Sequence, residues 1–384
     1  MINLLFVTKS TGGIAEYIRW LVKGLERGQF SITVLCLSEN GREFAEELKN
    51  NHKVHALSYD MKRYRVDPVS DARLGLFLAR LLRTGGFDVI HAHGSKAGFL
   101  TRLAAVGTGL PVLYSPHCFA FHDYAAPAAI FTTSLLEKLA AGWTTKFVLV
   151  SEGERQLARR HGIGREEQFV VVHTGIDPSP YRRPANVAQK EALALPASAP
   201  VIGSIGRLGE QKSPADFVRM AAGIHQVRPD AQFVWIGDGP LESEIRALSV
   251  ELGIESCLHL LGRRSDVPSL MQIFDCLVLT SRWEGLPLVI LEALSAGIPV
   301  VATDIPGTRE IIVSGRNGLL VPVGDTDGLT RSVLDLLADP SMQAEFRADG
   351  WRRITEEFTV MHMLSALQNL YRRAASQGEY LVED

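Results

Sequence analysis

A chain of 384 residues exceeds one ordinary hydrophobic core and predicts two domains of about 150–200 residues each. With 46% apolar and 22% charged residues it reads as globular rather than disordered, and a net charge of −3 gives no general attraction to nucleic acid or anionic lipid. The four cysteines (Cys36, Cys118, Cys257, Cys276) show no CxxC spacing, which predicts reduced thiols in a cytoplasmic protein rather than a disulfide frame. Met1 leads straight into an apolar run, so no signal peptide is expected, and no apolar stretch reaches bilayer length.

Along the chain, short β-rich runs alternate with longer amphipathic ones. Ile2–Thr8, Ser31–Leu37, Asp88–His91, Val112–Ser115, Lys146–Ser151 and Phe169–His173 read as strands, with helical patterns at Ile14–Arg27, Asp71–Thr84 and Ala97–Gly107 between them. The Ala- and Pro-rich stretch Pro184–Pro200 reads as a linker. A second alternation runs through Val201–Gly206, Gln232–Gly237, Leu258–Gly262, Cys276–Thr280, Pro299–Ala302 and Gly318–Val321. The fold class is therefore α/β, with two Rossmann-like, doubly wound domains facing each other across a cleft. The expected boundaries are residues 1–183, a linker at 184–200 and a second domain at 201–360, with a last helix at about 361–384 that returns to the first domain.

The chemistry gathers where predicted strands end. After the first strand, Gly12-Gly13 opens a helix, either as a phosphate-approaching turn or as a plain tight turn. The run His91-Ala-His93-Gly-Ser95-Lys96 follows another strand, and His117 follows a third. No carboxylate or cysteine completes a ligand set for the paired histidines, so they are expected to line the site rather than hold a metal. Gly206-Arg207 and Lys212 frame a turn before Ser213-Pro214, a predicted N-cap and first helical residue. Two cations beside glycines and a helix start suit a diphosphate, the alternative being two solvated surface charges. Gly237-Asp238-Gly239-Pro240 adds a further glycine turn. Ser281–Gly297 carries Glu284 in a strand-to-helix turn and Glu292 in the helix predicted over Leu286–Ala296, with Pro287 in its first turn. Carboxylates there can accept hydrogen bonds from sugar hydroxyls, or can be a dipole partner and a solvated helix residue.

Together, Gly12-Gly13, His117, Gly206-Arg207 with Lys212, Gly237-Asp238-Gly239-Pro240, Leu261-Gly262 and the Glu284-x7-Glu292 spacing resemble the retaining nucleotide-sugar glycosyltransferases of GT-B fold, family-four type. His91–Gly98 with Tyr114-Ser-Pro-His117 is similar to bacterial members that build exopolysaccharide or lipid-linked glycans. The resemblance implies catalytic roles for His117, Glu284, Arg207 and Lys212, the two cations neutralising the diphosphate and stabilising the leaving group. It implies donor contacts from Gly12, Gly13, Gly206, Gly237, Arg263, Gly285, Leu286, Leu288 and Glu292, the last to the ribose, and acceptor-side positions at His93, Ser95 and Lys96. It further implies a UDP-linked hexose as co-substrate, retention of configuration, no metal and no other cofactor. One departure is Thr174 where the family's turn carries Asn before Gly-Ile-Asp. On the acceptor side, the basic cluster Met61–Arg65 and the apolar stretch Cys118–Trp143 form either a peripheral membrane face for a lipid-linked acceptor or a core helix with a solvated edge. A nucleotide-sugar epimerase of the same fold and a non-catalytic nucleotide-sugar binder are the alternative functions.

Overall fold

The computed structural model of the chain describes residues 1–37, 41–61, 67–182 and 187–379. Lys62–Arg65 of the basic cluster, residues 184–186 of the linker and 380–384 of the last helix lie outside the described residues. The chain divides into two compact units, Met1–Thr174 together with the segment from Val360 onward, and Gly175–Thr359.

Among the described residues the first unit holds seven strands: β1 (Ile2–Thr8), β2 (Phe30–Leu37), β3 (His55–Tyr59), β4 (Val89–His93), β5 (Val112–Ser115), β6 (Lys146–Leu149) and β7 (Phe169–Val171). They lie in the order β3-β2-β1-β4-β5-β6-β7, and every pairing is parallel. The second unit holds β8 (Val201–Ile205), β9 (Gln232–Ile236), β10 (Leu258–Leu260), β11 (Cys276–Leu279), β12 (Val300–Thr303) and β13 (Leu319–Val321). Their order is β10-β9-β8-β11-β12-β13, again wholly parallel. A parallel sheet is covered by helices on both faces, so its strands are continuous apolar runs. β4, β5, β11 and β12 show this, with every residue buried. In both sheets the strand order reverses beside the first strand, between β1 and β4 and between β8 and β11. Ligands of open α/β sheets bind at such a switch point, beyond the carboxyl ends of the strands.

The second unit's core packs Trp235, 1% exposed, against Phe217 with ring centroids 5.4 Å apart, and Met220 and Ile224 fill the same helix face. In the first unit the closing helix Val360–Glu379 brings Tyr371, fully buried, to within 6.0 Å of the Phe6 ring and 6.1 Å of the Phe30 ring.

Three local expectations change. The division falls after Thr174 rather than at 183/184, because Ile176 donates to the Phe358 carbonyl (2.8 Å) and bridges Thr359, which ties the turn to the second unit. The linker stretch contains a short helix, Val187–Ala192. Strand β3 was missed because only Ala56 of this short edge strand is buried and the strand starts at an exposed histidine, so it carries no continuous apolar run.

Candidate functional site

In the second unit the turns after β8 and β11 flank the switch point and are stitched together. Thr280 Oγ1 donates to the Lys212 carbonyl (2.7 Å), and the Arg282 amide donates to the Gln211 carbonyl (2.8 Å). This brings Lys212 Nζ to 2.6 Å from Glu284 Oε1, with both side chains mostly buried. The same carboxylate accepts from Ser281 Oγ at 2.7 Å and from Gln211 Nε2 at 3.2 Å. A carboxylate held by an ammonium and two neutral donors is fixed in place at little entropic cost, because its partners belong to turns that are themselves fixed. Gln211 and Ser281 were not expected as site residues. Their only sequence signal is adjacency to Lys212 and to the end of β11.

The glycines explain how the backbone comes so close. A Cβ on Gly206 would lie 2.9 Å from Lys212 Cε, so the lysine stem lies across the space that Gly206 leaves open. Gly237 has φ +133°, and a Cβ there would overlap the Gly206 carbonyl oxygen, to which Trp235 Nε1 also donates at 2.9 Å. Gly237 in turn pairs with Gly262, which places the exposed Arg263 beside the β9 turn. Arg207 is exposed one residue past Gly206. Gly285 and Leu286 are buried in the turn before helix Leu288–Ser295, on which Glu292 is half-buried. A Cβ on Gly307 would lie 2.7 Å from the Gly285 carbonyl, so the turn after β12 closes on this loop as well.

Two helix starts differ from expectation. Pro287 is the N-cap, outside the helix that begins at Leu288, so its ring precedes the first turn. Ser213 does precede Pro214, but its backbone is left-handed (φ +43°) and its hydroxyl goes to Asp216 Oδ2 at 2.7 Å instead of capping an amide.

In the first unit the turns after β1, β4 and β5 carry Gly12-Gly13, His93-Gly94 and His117. Gly12 (φ +66°) and Gly94 (φ +83°) are the N-caps of helices Gly13–Gly24 and Ser95–Ala104, and neither helix has a side-chain cap. Ser95 is therefore the first helical residue. Lys96 Nζ lies 2.6 Å from Asp71 Oδ1, which ties its helix to helix Pro68–Thr84. His91 and His93 are fully buried with ring centroids 4.1 Å apart, and His93 Nδ1 is 3.0 Å from His117 Nε2. His117 is half-buried, holds a left-handed backbone (φ +56°) and meets the edge of Tyr17 at 4.9 Å.

The His91 tautomer follows from hydrogen-bond accounting. Ser115 Oγ donates its one proton to the Val148 carbonyl (2.7 Å), so at His91 Nε2, 2.9 Å away, it must accept. Burial pushes His91 down to about 3, so the ring is neutral and its Nδ1 accepts from Tyr371 OH at 2.8 Å. Burial, with His91 and His117 nearby, also holds His93 well below the usual imidazole range. Burial, with His91 and the Lys9 ammonium, does the same to His117. Although three imidazoles crowd together, no three His, Cys, Asp or Glu side chains among the described residues are arranged to hold a metal ion. Tyr17, Ser115 and Tyr371 were not expected as site residues; Ser115 lies within the Tyr114-Ser-Pro-His117 run, whereas nothing local in sequence marks Tyr371.

A cavity of about 340 Å³ lies elsewhere, lined by Arg316, Asn317, Asp349, Arg352, Arg353 and Glu357 at the amino-terminal approach to β13. Its three arginines are balanced by Asp349, Glu356 and Glu357, with ion pairs from Arg316 and Arg352 to Asp349 and from Arg353 to Glu357, so its lining carries no net charge.

Two family models match the chain, "Glycosyl transferase 4-like domain" over residues 12–175 and "Glycosyl transferases group 1" over residues 187–353. The chain is 27% identical over 353 residues to the UDP-Gal:alpha-D-GlcNAc-diphosphoundecaprenol alpha-1,3-galactosyltransferase of Escherichia coli, covering 90% of each protein. It is 27% identical over 328 residues to a D-inositol 3-phosphate glycosyltransferase of Saccharomonospora viridis, covering 79% of this chain and 75% of the relative. Among solved structures, Anabaena HepE in complex with UDP and glucose aligns at TM-score 0.84 and 22% identity over 97% of this chain and all (100%) of HepE. The sucrose-phosphate synthase of Thermosynechococcus elongatus aligns at TM-score 0.83 and 18% identity over 98% of this chain and 100% of the synthase. With both halves matched and the fold shared from end to end, the chain belongs to the nucleotide-sugar glycosyltransferases of GT-B fold, family-four type.

Proposed function

We propose that the chain moves a hexose from a UDP-linked sugar to a lipid-linked or other glycan acceptor, with retention of anomeric configuration and without a metal ion or other cofactor. The observation that carries this reading is the Lys212–Glu284 pair across the second sheet's switch point, with Arg207 exposed at the same edge. Here Lys212 and Arg207 neutralise the diphosphate as the glycosidic bond breaks, which removes the need for a divalent cation. Glu284 orients the lysine and accepts from a sugar hydroxyl, while Glu292, Gly285, Leu286 and Leu288 line the donor. Arg263 lies toward the base. His117 acts in the transfer itself and Gly12-Gly13 serves the donor, while His93, Ser95 and Lys96 serve the acceptor side. The Escherichia coli relative named for UDP-Gal and an undecaprenol-linked acceptor, and the UDP and glucose held by HepE, support the choice of donor and acceptor class.

The same reading extends to a peripheral membrane contact. Helix Pro127–Ala141 is inverted: Ser134 and Glu137 face inward, while Phe131 (68% exposed), Leu135, Leu136 and Leu139 face out, with Lys138 beside them and Trp143 just beyond. A surface helix ordinarily buries its apolar stripe, and Trp with apolar neighbours and a cation suits the edge of an anionic bilayer. No helix among the described residues is long and apolar enough to cross a membrane.

The test is a thermal-shift panel of UDP, GDP and ADP with their sugar conjugates, with and without EDTA, followed by transfer assays. A ligand that binds only the folded chain raises its Tm by mass action. A shift with UDP alone that is insensitive to EDTA and lost in Arg207→Ala or Glu292→Ala supports the reading. No shift with any nucleotide overturns it. Sugar release that depends on acceptor, with an α-linked product from an α-linked donor, separates transfer with retention from epimerisation and from simple binding.

A further inference from the structure

We infer that His93 is a positioning residue that sets the tautomer of His117: His93 donates from Nδ1 to His117 Nε2, and His117 presents Nδ1–H to a substrate oxygen. The two nitrogens are 3.0 Å apart, and one proton lies between them. Two arrangements satisfy that bond. If His117 donates, the proton of neutral His93 is on Nε2, a buried atom with no hydrogen-bond partner among the described residues. If His93 donates, its orphaned atom is a bare acceptor. A stranded buried N–H is rarer and more costly than an under-used acceptor, so the second arrangement wins.

Double protonation of His93 is opposed by its complete burial and by the rings of His91 and His117 beside it. His91 offers no competing bond, because both its nitrogens are already engaged by Tyr371 and Ser115. The groups that face His117 are Tyr17, His93, His91 and the Lys9 ammonium, and Nδ1 of His117 has no partner among the described residues. With Nε2 occupied and basicity suppressed, His117 acts as a hydrogen-bond donor and not as a general base. The left-handed backbone at His117 holds the ring in this pairing at the expense of local strain. The tautomer is independent of the reaction, and only its use in transfer rests on the function proposed above.

Long-range proton–nitrogen correlation on the full chain carrying ¹⁵N-histidine reads the tautomer directly, with the His117 signals identified by their loss in His117→Asn. The expected pattern is a protonated Nδ1 and a bare Nε2. A protonated Nε2, or protons on both nitrogens at neutral pH, overturns the proposal. In transfer assays His93→Asn, whose side-chain amide donates from about the same place as Nδ1, is expected to exceed His93→Leu by roughly tenfold in kcat, the worth of one net hydrogen bond. Equal loss in two folded variants overturns the positioning role, and if either fails to fold the wild-type spectrum decides. The expected tautomer in a chain that transfers no sugar upholds this inference and removes the proposed reaction instead.

Discussion

At the residue scale the second unit's site is organised around one carboxylate with three donors. Removing the ammonium leaves Glu284 mostly buried with only Ser281 and Gln211 among the described residues to satisfy it. Lys212→Met is therefore expected to lower kcat by about 100- to 1,000-fold, the effect of losing one preorganised charge at a site of developing negative charge. It should also melt lower than the wild type, because it strands a charge. The Lys212→Met/Glu284→Gln double variant should recover part of the Tm without recovering activity. Thermal melts beside transfer assays check both outcomes, and a double variant less stable than Lys212→Met would show that the pair is not coupled. The glycines separate packing from chemistry. Gly206→Ala meets only the flexible stem of Lys212, so its expected effect is displaced lysine and lost turnover with a modest change in stability. Gly237→Ala must overlap a carbonyl oxygen at a backbone angle that L residues rarely adopt, so it is expected to lower stability by several kcal/mol and the yield of folded protein.

At the element scale, helix Glu152–Arg160 carries a pH-dependent term. Ser151 Oγ accepts from the Glu154 amide (3.1 Å), and Glu154 Oε2 accepts from the Val150 amide (2.9 Å), which leaves Oε1 buried and without a partner among the described residues. Burial pushes this carboxyl up from 4.5 to about 7, offset in part by the Val150 amide. A raised carboxyl means the unfolded chain releases its proton first, so stability falls as pH rises from 4.5 to about 7 and is flat above. Glu154→Gln should remove that slope, raising stability at pH 8 by up to about 3 kcal/mol and leaving it unchanged at pH 4. Chemical denaturation at the two pH values reads it. Helix Pro127–Ala141 makes a separate prediction: Phe131→Ser with Leu139→Ser should abolish co-sedimentation with anionic vesicles while preserving the fold, because Arg102 and Glu137 (2.8 Å) hold the opposite face. A wild-type chain that stays in the supernatant sinks the membrane contact. Elements such as β4 and β11 were legible in sequence because strands buried on both faces are continuous apolar runs, and the glycine turns after them marked the sheet edge that carries the candidate site. β3 was not legible, since a short edge strand needs no such run. Nor was the Tyr371–His91 bond, whose partners stand 280 residues apart and meet only through the fold.

At the scale of the molecule, the chain enters the first unit twice, and its closing helix packs on a sheet laid down by the opening residues. The bond from Tyr371 OH to His91 Nδ1 (2.8 Å) is continued by His91 to Ser115 and by Ser115 to the Val148 carbonyl, so the helix is hydrogen-bonded into β4, β5 and β6 in turn. Because the His91 proton site is held down to about 3, this arrangement is stable above the ordinary imidazole value of 6.5 and is progressively lost as pH falls from there toward 3. Deleting everything after Thr359 uncovers the Phe6 and Phe30 rings and strands His91 Nδ1, so the damage should appear at the far end of the sequence from the cut. Hydrogen exchange read by mass spectrometry is expected to show lost protection in β1, β2 and β4, with β8, β9 and β11 unchanged, since the second unit has its own core around Trp235. Tyr371→Phe is the milder form, expected to destabilise the first unit by about 1–3 kcal/mol through one unpaired buried acceptor, with the rings still covered. Exchange that rises equally in both units after truncation would mean that they unfold as one cooperative body, and the closing helix would then be a clamp on the whole chain instead of the last layer of its first half.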